Sequence, residues 1–547
     1  MGFSYEQRTK NVQEMGSNEL DVLIIGGGIT GAGIGLDASS RGLKTGLIEM
    51  QDFAAGTSSR STKLIHGGLR YLKQFEIKLV ADVGKERAIV YENAPHVTTP
   101  LWMMLPFYKG GTFNYLTTSL GLKVYDFLAG VKRNERRNML KSENAISKEP
   151  LLNKEGLKGA GVYVEYRTDD ARLTIEVMKK AEEHGLLASN YVKADTFLYK
   201  DKKVVGVQVT DLLTGEKQDI YAKKIVNATG PWVDLLREKD NSKKGKTIHL
   251  TKGVHLVVSG ERFPLRSALY FDTPFKDGRM MFAIPREGKT YIGTTDTNYK
   301  GDQADPGVTK EDVDYILNAA NGMFPELDLS AEDVESSWSG LRPLIHEEGK
   351  DPSDISRKDE IFRSDSGLFT IAGGKLTGYR KMADSVVKMM VAELPGNYPE
   401  CKTEKMLLSG GDVGGSDQFE TFVKKYVAEG RERGLSEDEA VELVHRYGSN
   451  IHQVFSHLES AKDKALPPYL QATLDYALEN EMTATPLDFF VRRTGYLYFH
   501  IDKVLKYKEL VINEMNDRLG WSPEQKSRFT KELDQQIDAV SFKHTVQ

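Results

Sequence analysis

Residues Leu20–Glu49 read LDVLIIGGGITGAGIGLDASSRGLKTGLIE. The apolar run Val22 to Ile25 has the texture of a buried parallel strand, and it leads straight into Gly26-x-Gly28-x-x-Gly31 and an Ala/Gly-rich helix. In such a turn Gly26 permits the tight bend, Gly28 lets the backbone approach a pyrophosphate, and Gly31 lets helix and strand pack closely. The helix N-terminus then faces the phosphates. A second strand, Thr45 to Ile48, ends on Glu49, where this arrangement needs an acid for a ribose hydroxyl. Strand, glycines, helix, strand and acid in that order define a dinucleotide-binding unit.

The whole chain sets the bounds. Its 547 residues exceed a single core, so two or three domains are expected. A net charge of −5 without a long basic block leaves nucleic acid no electrostatic footprint. Cys401 is the one cysteine; it has no partner for an internal disulfide, which suits a reducing compartment and excludes a cysteine metal cluster. The first twenty residues are polar and do not read as a signal peptide. No apolar run approaches the roughly 18 residues of a bilayer span, so the chain is expected in the cytoplasm, with peripheral membrane contact left open.

Beyond Glu49, Asp52 to Thr62 is rich in Gly, Ser and Thr and reads as a loop. It enters Lys63-Leu64-Ile65-His66-Gly67-Gly68-Leu69-Arg70-Tyr71-Leu72. Paired glycines beside a histidine can bring backbone against a flat ring, with Arg70 and Tyr71 then binding an anion; the alternative is a solvated helix start. Pro100 to Lys132 is dense in aromatics and methionine, and reads either as core or as a segment that touches a membrane. Val162 to Val164 is a short strand before a helix capped by Thr168 or Asp169 and ending near His184-Gly185. Alternating strands between Thr196 and Val226 finish on Asn227-Ala228-Thr229-Gly230-Pro231-Trp232, a second place where backbone can crowd a nucleotide.

Thr251 to about Arg363 carries strands, tight turns and the compact Gly293-Thr294-Thr295-Asp296, which predicts a mostly antiparallel sheet. The strand Leu368 to Ala372 then runs into Gly373-Gly374-Lys375-Leu376-Thr377-Gly378, with glycines again between strand and helix. After Leu394-Pro395-Gly396 the pattern is helical, with capping boxes at Ser436 and Ser522. The expected fold is α/β: a Rossmann-like FAD-binding domain (20–95, 160–245 and 365–394), interleaved with a mostly antiparallel β substrate domain (96–159 and 246–364), then an α-helical C-terminal domain (395–547). A chain passing electrons to soluble NAD on a second nucleotide fold would repeat the fingerprint, and this one does not. One nucleotide fold serving a large substrate domain suits tightly, non-covalently held FAD.

Nearly the whole chain resembles the FAD-dependent, quinone-linked glycerol-3-phosphate dehydrogenase family, among the D-amino-acid-oxidase-like flavoproteins. The residues that carry the likeness are Gly26 to Gly31, Ser61 to Leu72, Asn227 to Trp232, Lys252 to His255, Gly293 to Asp296, Ser339 to Leu344 and Gly373 to Thr377. Val254, where the family often has Ser, and Gly378, where Thr is common, depart from it without removing a titratable group. The resemblance implies oxidation of sn-glycerol 3-phosphate to dihydroxyacetone phosphate in glycerol catabolism, with electrons passing to a membrane quinone at the inner face of the cell membrane. His255 is similar to the family's base, and Arg342 to the cation that steadies developing oxyanion charge. Arg70, Tyr71, Arg357 and Lys375 would hold the phosphate; how the cationic roles divide among Arg70, Arg342, Arg357 and Lys375 is left open. FAD contact is expected from Gly26, Gly27, Gly28, Ile29, Thr30, Gly31, Glu49, Ser61, Thr62, His66, Gly67, Gly68, Ala228, Gly230, Gly373, Gly374, Lys375, Leu376 and Thr377, and no metal is expected. Two other readings stand beside this one: an oxidase reducing O2 to hydrogen peroxide, disfavoured because no surplus mid-chain loop is visible, and a non-catalytic flavin-binding protein. The sequence allows a homodimer without requiring it.

Overall fold

The computed structural model describes residues 2–66, 77–128, 135–347 and 359–541. Leu20–Ile25 forms the centre of a mixed eight-stranded sheet among the described residues, flanked in parallel by Thr45–Ile48 on one side and Lys217–Asn227 on the other. Leu187–Ser189 extends this sheet beyond Thr45–Ile48, and Phe369–Ala372 extends it beyond Lys217–Asn227, both in parallel. All side chains of Leu20–Ile25 except Asp21 are buried, as expected for a strand covered on both faces. The covering helices are Ile29–Ser40, Asp170–Glu183 and Tyr379–Val391. On the other side, Tyr5–Ser17 packs beside Leu187–Ser189, its buried Arg8 paired with Asp211 at 2.8 Å.

A second, ten-stranded sheet stands on the first, and all its pairings are antiparallel except that of Ala268–Asp272 with Thr98–Tyr108. Its long spine pairs Lys246–Ser259 with Val334–Glu347, placing His255 opposite Trp338 and Thr251 opposite Arg342. The α/β class and the mixed character of the fold therefore agree with the sequence. One strand does not follow the expected division: Leu157–Thr168 lies in the second sheet, paired throughout with Thr98–Tyr108, although residues from 160 onward were expected in the nucleotide-binding part. Its twelve residues are buried almost without alternation, so the pattern carries no mark of which sheet it joins.

The C-terminal region is helical, running from Phe419–Glu432 to Pro523–Ser541, and its capping boxes at Ser436 and Ser522 form as read. No described helix is long and apolar enough to cross a membrane.

Candidate active site

Where the strand Leu20–Ile25 meets the helix Ile29–Ser40, the chain makes the turn its glycines demand. Gly26 has φ of +115°, and a Cβ there would lie 2.6 Å from Ala228 O; a Cβ on Gly31 would run into Gly26 O. Gly28 caps the helix, whose Ile29 N–H donates to Ser58 Oγ at 2.9 Å. Glu49 ends the second strand and accepts the Gly27 N–H at 2.6 Å and the Gln51 N–H at 2.8 Å. Burial pushes its carboxyl above the ordinary range, and those two N–H groups pull it part of the way back.

These groups border one cavity. Gly26, Gly28, Ile29, Thr30, Glu49, Ser61, Ala228, Gly230, Gly373, Gly374, Lys375 and Leu376 all line it, so most of the expected flavin contacts come together. Gly27, Gly31 and Thr377 lie behind its wall, acting through the Glu49 bond, close packing and a Thr377 Oγ1 bond to His66 O, respectively. The sequence reading missed Thr57, Ser58, Val192, Ala194 and Trp232, which also border the groove. The Gly/Ser/Thr-rich loop was a usable signal for the first two.

Thr57, Pro343, Gly374 and Lys375 are shared with a second cavity on the face of the antiparallel sheet. Thr62, His66, Arg342 and Lys375 line this one, with Arg279, Asp296 and an aromatic wall that includes the stacked pair Tyr270 and Phe282. Arg342 donates to Thr295 O at 3.3 Å, Asp296 Oδ1 at 3.1 Å and Thr294 Oγ1 at 3.2 Å, which fixes the plane of its fork. Burial lowers the His66 pKa to about 4, with help from Lys375 and Arg87.

His255 sits one layer deeper, 1% exposed. Its Nε2 is 3.1 Å from Thr62 Oγ1, the group that reaches the cavity wall. The imidazole stacks on Trp338 at 4.8 Å, and Lys63 Nζ lies 5.4 Å from the other ring of that stack. Burial holds the His255 pKa well below its usual value, and the charges of Arg342 and Lys63 reinforce this, so the ring is neutral at pH 7. Gly67, Gly68, Arg70, Tyr71 and Arg357 lie outside the described residues.

A parallel sheet with a glycine-lined groove at the carboxyl ends of its strands, opening into a cationic pocket on an antiparallel sheet, defines a dinucleotide-dependent oxidoreductase. The chain belongs to the FAD dependent oxidoreductase family, whose description matches residues 21–379. Residues 401–526 match the C-terminal domain of alpha-glycerophosphate oxidase. The aerobic glycerol-3-phosphate dehydrogenase of Bacillus subtilis (strain 168) is 60% identical over 98% of both chains, and that of Staphylococcus haemolyticus is 57% identical over 97% of this chain and 96% of its own. A crystal structure of the glycerol-3-phosphate dehydrogenase from Bacillus halodurans, complexed with FAD, superposes with a TM-score of 0.87 at 52% identity, covering 100% of this chain and 99% of that one. The cofactor is FAD, and the close approach at Gly26, the capping Gly28 and the acid at Glu49 fit its diphosphate and ribose.

Proposed function

We propose that the chain oxidises sn-glycerol 3-phosphate to dihydroxyacetone phosphate and delivers the electrons to a membrane quinone. The observation that carries this reading is the junction at Lys375. There a groove fitted to FAD opens into a pocket holding Arg279, Arg342 and Lys375, more fixed cations than an uncharged or amine substrate needs. FAD, when bound, supplies the acceptor for the hydride that leaves the substrate's C2. His255 takes the hydroxyl proton at Nε2 by way of the Thr62 side of the pocket, for which its neutral state is required. Arg342 steadies charge developing on that oxygen. Lys375, with Arg70, Tyr71 and Arg357 beyond the described residues, holds the phosphate.

Near-complete coverage of dehydrogenase relatives in both directions supports the dehydrogenase over the oxidase. A membrane contact is supported by the exposed apolar side chains Trp102, Tyr115, Leu120 and Val124, which lie on Thr98–Tyr108 and the following helix Tyr115–Leu128 beside the exposed Lys123. The test is anaerobic: glycerol 3-phosphate is added to the yellow holoenzyme, and the bleached protein is then given a soluble quinone or air. Bleaching followed by fast reoxidation with quinone and slow reoxidation with air is expected. Fast reoxidation by air with peroxide would make it an oxidase, and absence of bleaching would overturn the substrate.

A further inference from the structure

A third cavity shares no lining residue with the flavin groove or the pocket beside it. It lies where the start of Asp170–Glu183 and the turn between Met280–Arg286 and Lys289–Gly293 face the helices Glu437–Tyr447 and Ile501–Leu519. The site is built mainly of charge, and most of that charge is paired. Arg286 donates to Glu287 at 2.9 Å, and Glu287 also meets His500 at 3.2 Å. Glu442 accepts from Arg446 at 2.8 Å and from Lys503 at 2.9 Å. Arg172 is held by Glu481 and Glu176.

Arg167 is the exception. Its backbone is fixed in the sheet opposite Leu64 and Thr99, yet its guanidinium, which lines the cavity, has no hydrogen bond or ion pair among the described residues. Burial lowers its pKa and the neighbouring Arg286 lowers it further, while Glu287, which forms no ion pair with it, offsets part of this. Other buried polar atoms of lining residues also lack a partner: Arg446 Nη1, Arg172 Nε and both ring nitrogens of His96. Asp438, at the exposed rim, is screened by solvent. A half-buried guanidinium without a hydrogen-bond partner has donors to spare, and such a fork matches the oxygens of a phosphate bidentately.

We propose that this cavity, at the joint between the catalytic sheets and the helical C-terminal region, binds a phosphate group, with Arg167 as its anchoring cation. The occupant is either inorganic phosphate or the phosphoryl group of a small phosphomonoester. Equilibrium dialysis of the purified holoenzyme against labelled inorganic phosphate tests it. Wild type is expected to retain a phosphate that Lys375→Gln, altered at the phosphate holder of the other pocket, also retains, and that Arg167→Gln binds at least tenfold more weakly. Flavin content and melting temperature verify that each variant is folded, and Arg167→Lys, which keeps the charge, should recover part of the binding. A chase with glucose 6-phosphate separates the sources: displacement well below the concentration of inorganic phosphate needed for the same effect assigns the site to a phosphomonoester, and equal or weaker displacement to inorganic phosphate. Retention of no phosphate by wild type, loss in Lys375→Gln, or wild-type affinity in Arg167→Gln would overturn the proposal.

Discussion

A histidine that is to accept a proton at neutral pH must be neutral beforehand, and His255 is kept so by burial and then by Arg342 and Lys63. His255→Ala should retain flavin, because the residue is absent from the wall of the flavin groove, while slowing anaerobic flavin reduction by about 10²–10⁴-fold. Stopped-flow spectra decide this; reduction at the wild-type rate would remove the base assignment. The same depressed pKa means that His255 contributes no acid limb to the reduction rate between pH 6 and 8, and a limb near 6.5 that vanishes in His255→Ala would contradict the environment described. Stability follows a related rule. His66 and His96 titrate at about 4 and about 3 in the folded chain, against roughly 6.5 unfolded. As pH falls below about 6.5 the unfolded state takes up protons that the folded state refuses, so stability is lost on the acid side. The melting temperature of the holoenzyme should fall from pH 7 to 5, and a flat profile over that window would count against the buried, neutral assignment.

Among the elements, the strand–turn–helix from Leu20 to Ser40 tolerates the least change. Gly31→Ala forces a methyl into Gly26 O, a backbone atom that cannot step aside without opening the turn. Overpacking of this kind costs about 1–3 kcal/mol, or roughly five- to 150-fold in flavin affinity if the strain falls on the bound form. The flavin-to-protein ratio after gel filtration measures it, and unchanged flavin content would show that the turn relaxes freely. This element was legible from the sequence because each of its glycines has a local steric reason, and the cap at Asp169 and the box at Ser436 were legible for the same reason. What the sequence did not show depends on distant pairing. The sheet membership of Leu157–Thr168 is decided by partners some sixty residues earlier in the chain. That His255 reaches its pocket through Thr62, 193 residues away, and rests on Trp338 follows from the register of the antiparallel spine and has no local signature. The polar first twenty residues gave no hint that Arg8 would be buried against Asp211.

At the scale of the whole molecule, a buried carboxylate helps tie the helical C-terminal region to the flavin groove. Asp52, three residues beyond Glu49, is fully buried and accepts from Arg492 Nε at 2.5 Å, from Arg493 Nη1 at 2.7 Å and Nη2 at 2.9 Å, and from Asn190 at 2.9 Å. Burial alone would raise its pKa, but Arg493 and Arg492 override it and bring the carboxyl down to about 2. The loop it begins carries Ser58, the acceptor for the first N–H of the nucleotide-facing helix, so the ion cluster and the flavin cradle share a support. Asp52→Asn keeps the shape and removes the charge, leaving the buried Arg493 guanidinium without its carboxylate and Arg492 with Asp488 alone, at a cost of about 3–5 kcal/mol. The expected result is a lower melting temperature, faster proteolysis of the C-terminal helices and weaker flavin retention, all in the same variant. In the wild type the Asp52 contribution is complete above the unfolded pKa of about 3.9 and fades as pH falls toward 2. Acid unfolding followed separately by flavin fluorescence and by proteolysis of the C-terminal helices should therefore show both signals moving together in the wild type. A variant that loosens the helices but holds flavin as tightly as wild type would show that the cradle is supported from its own sheet alone.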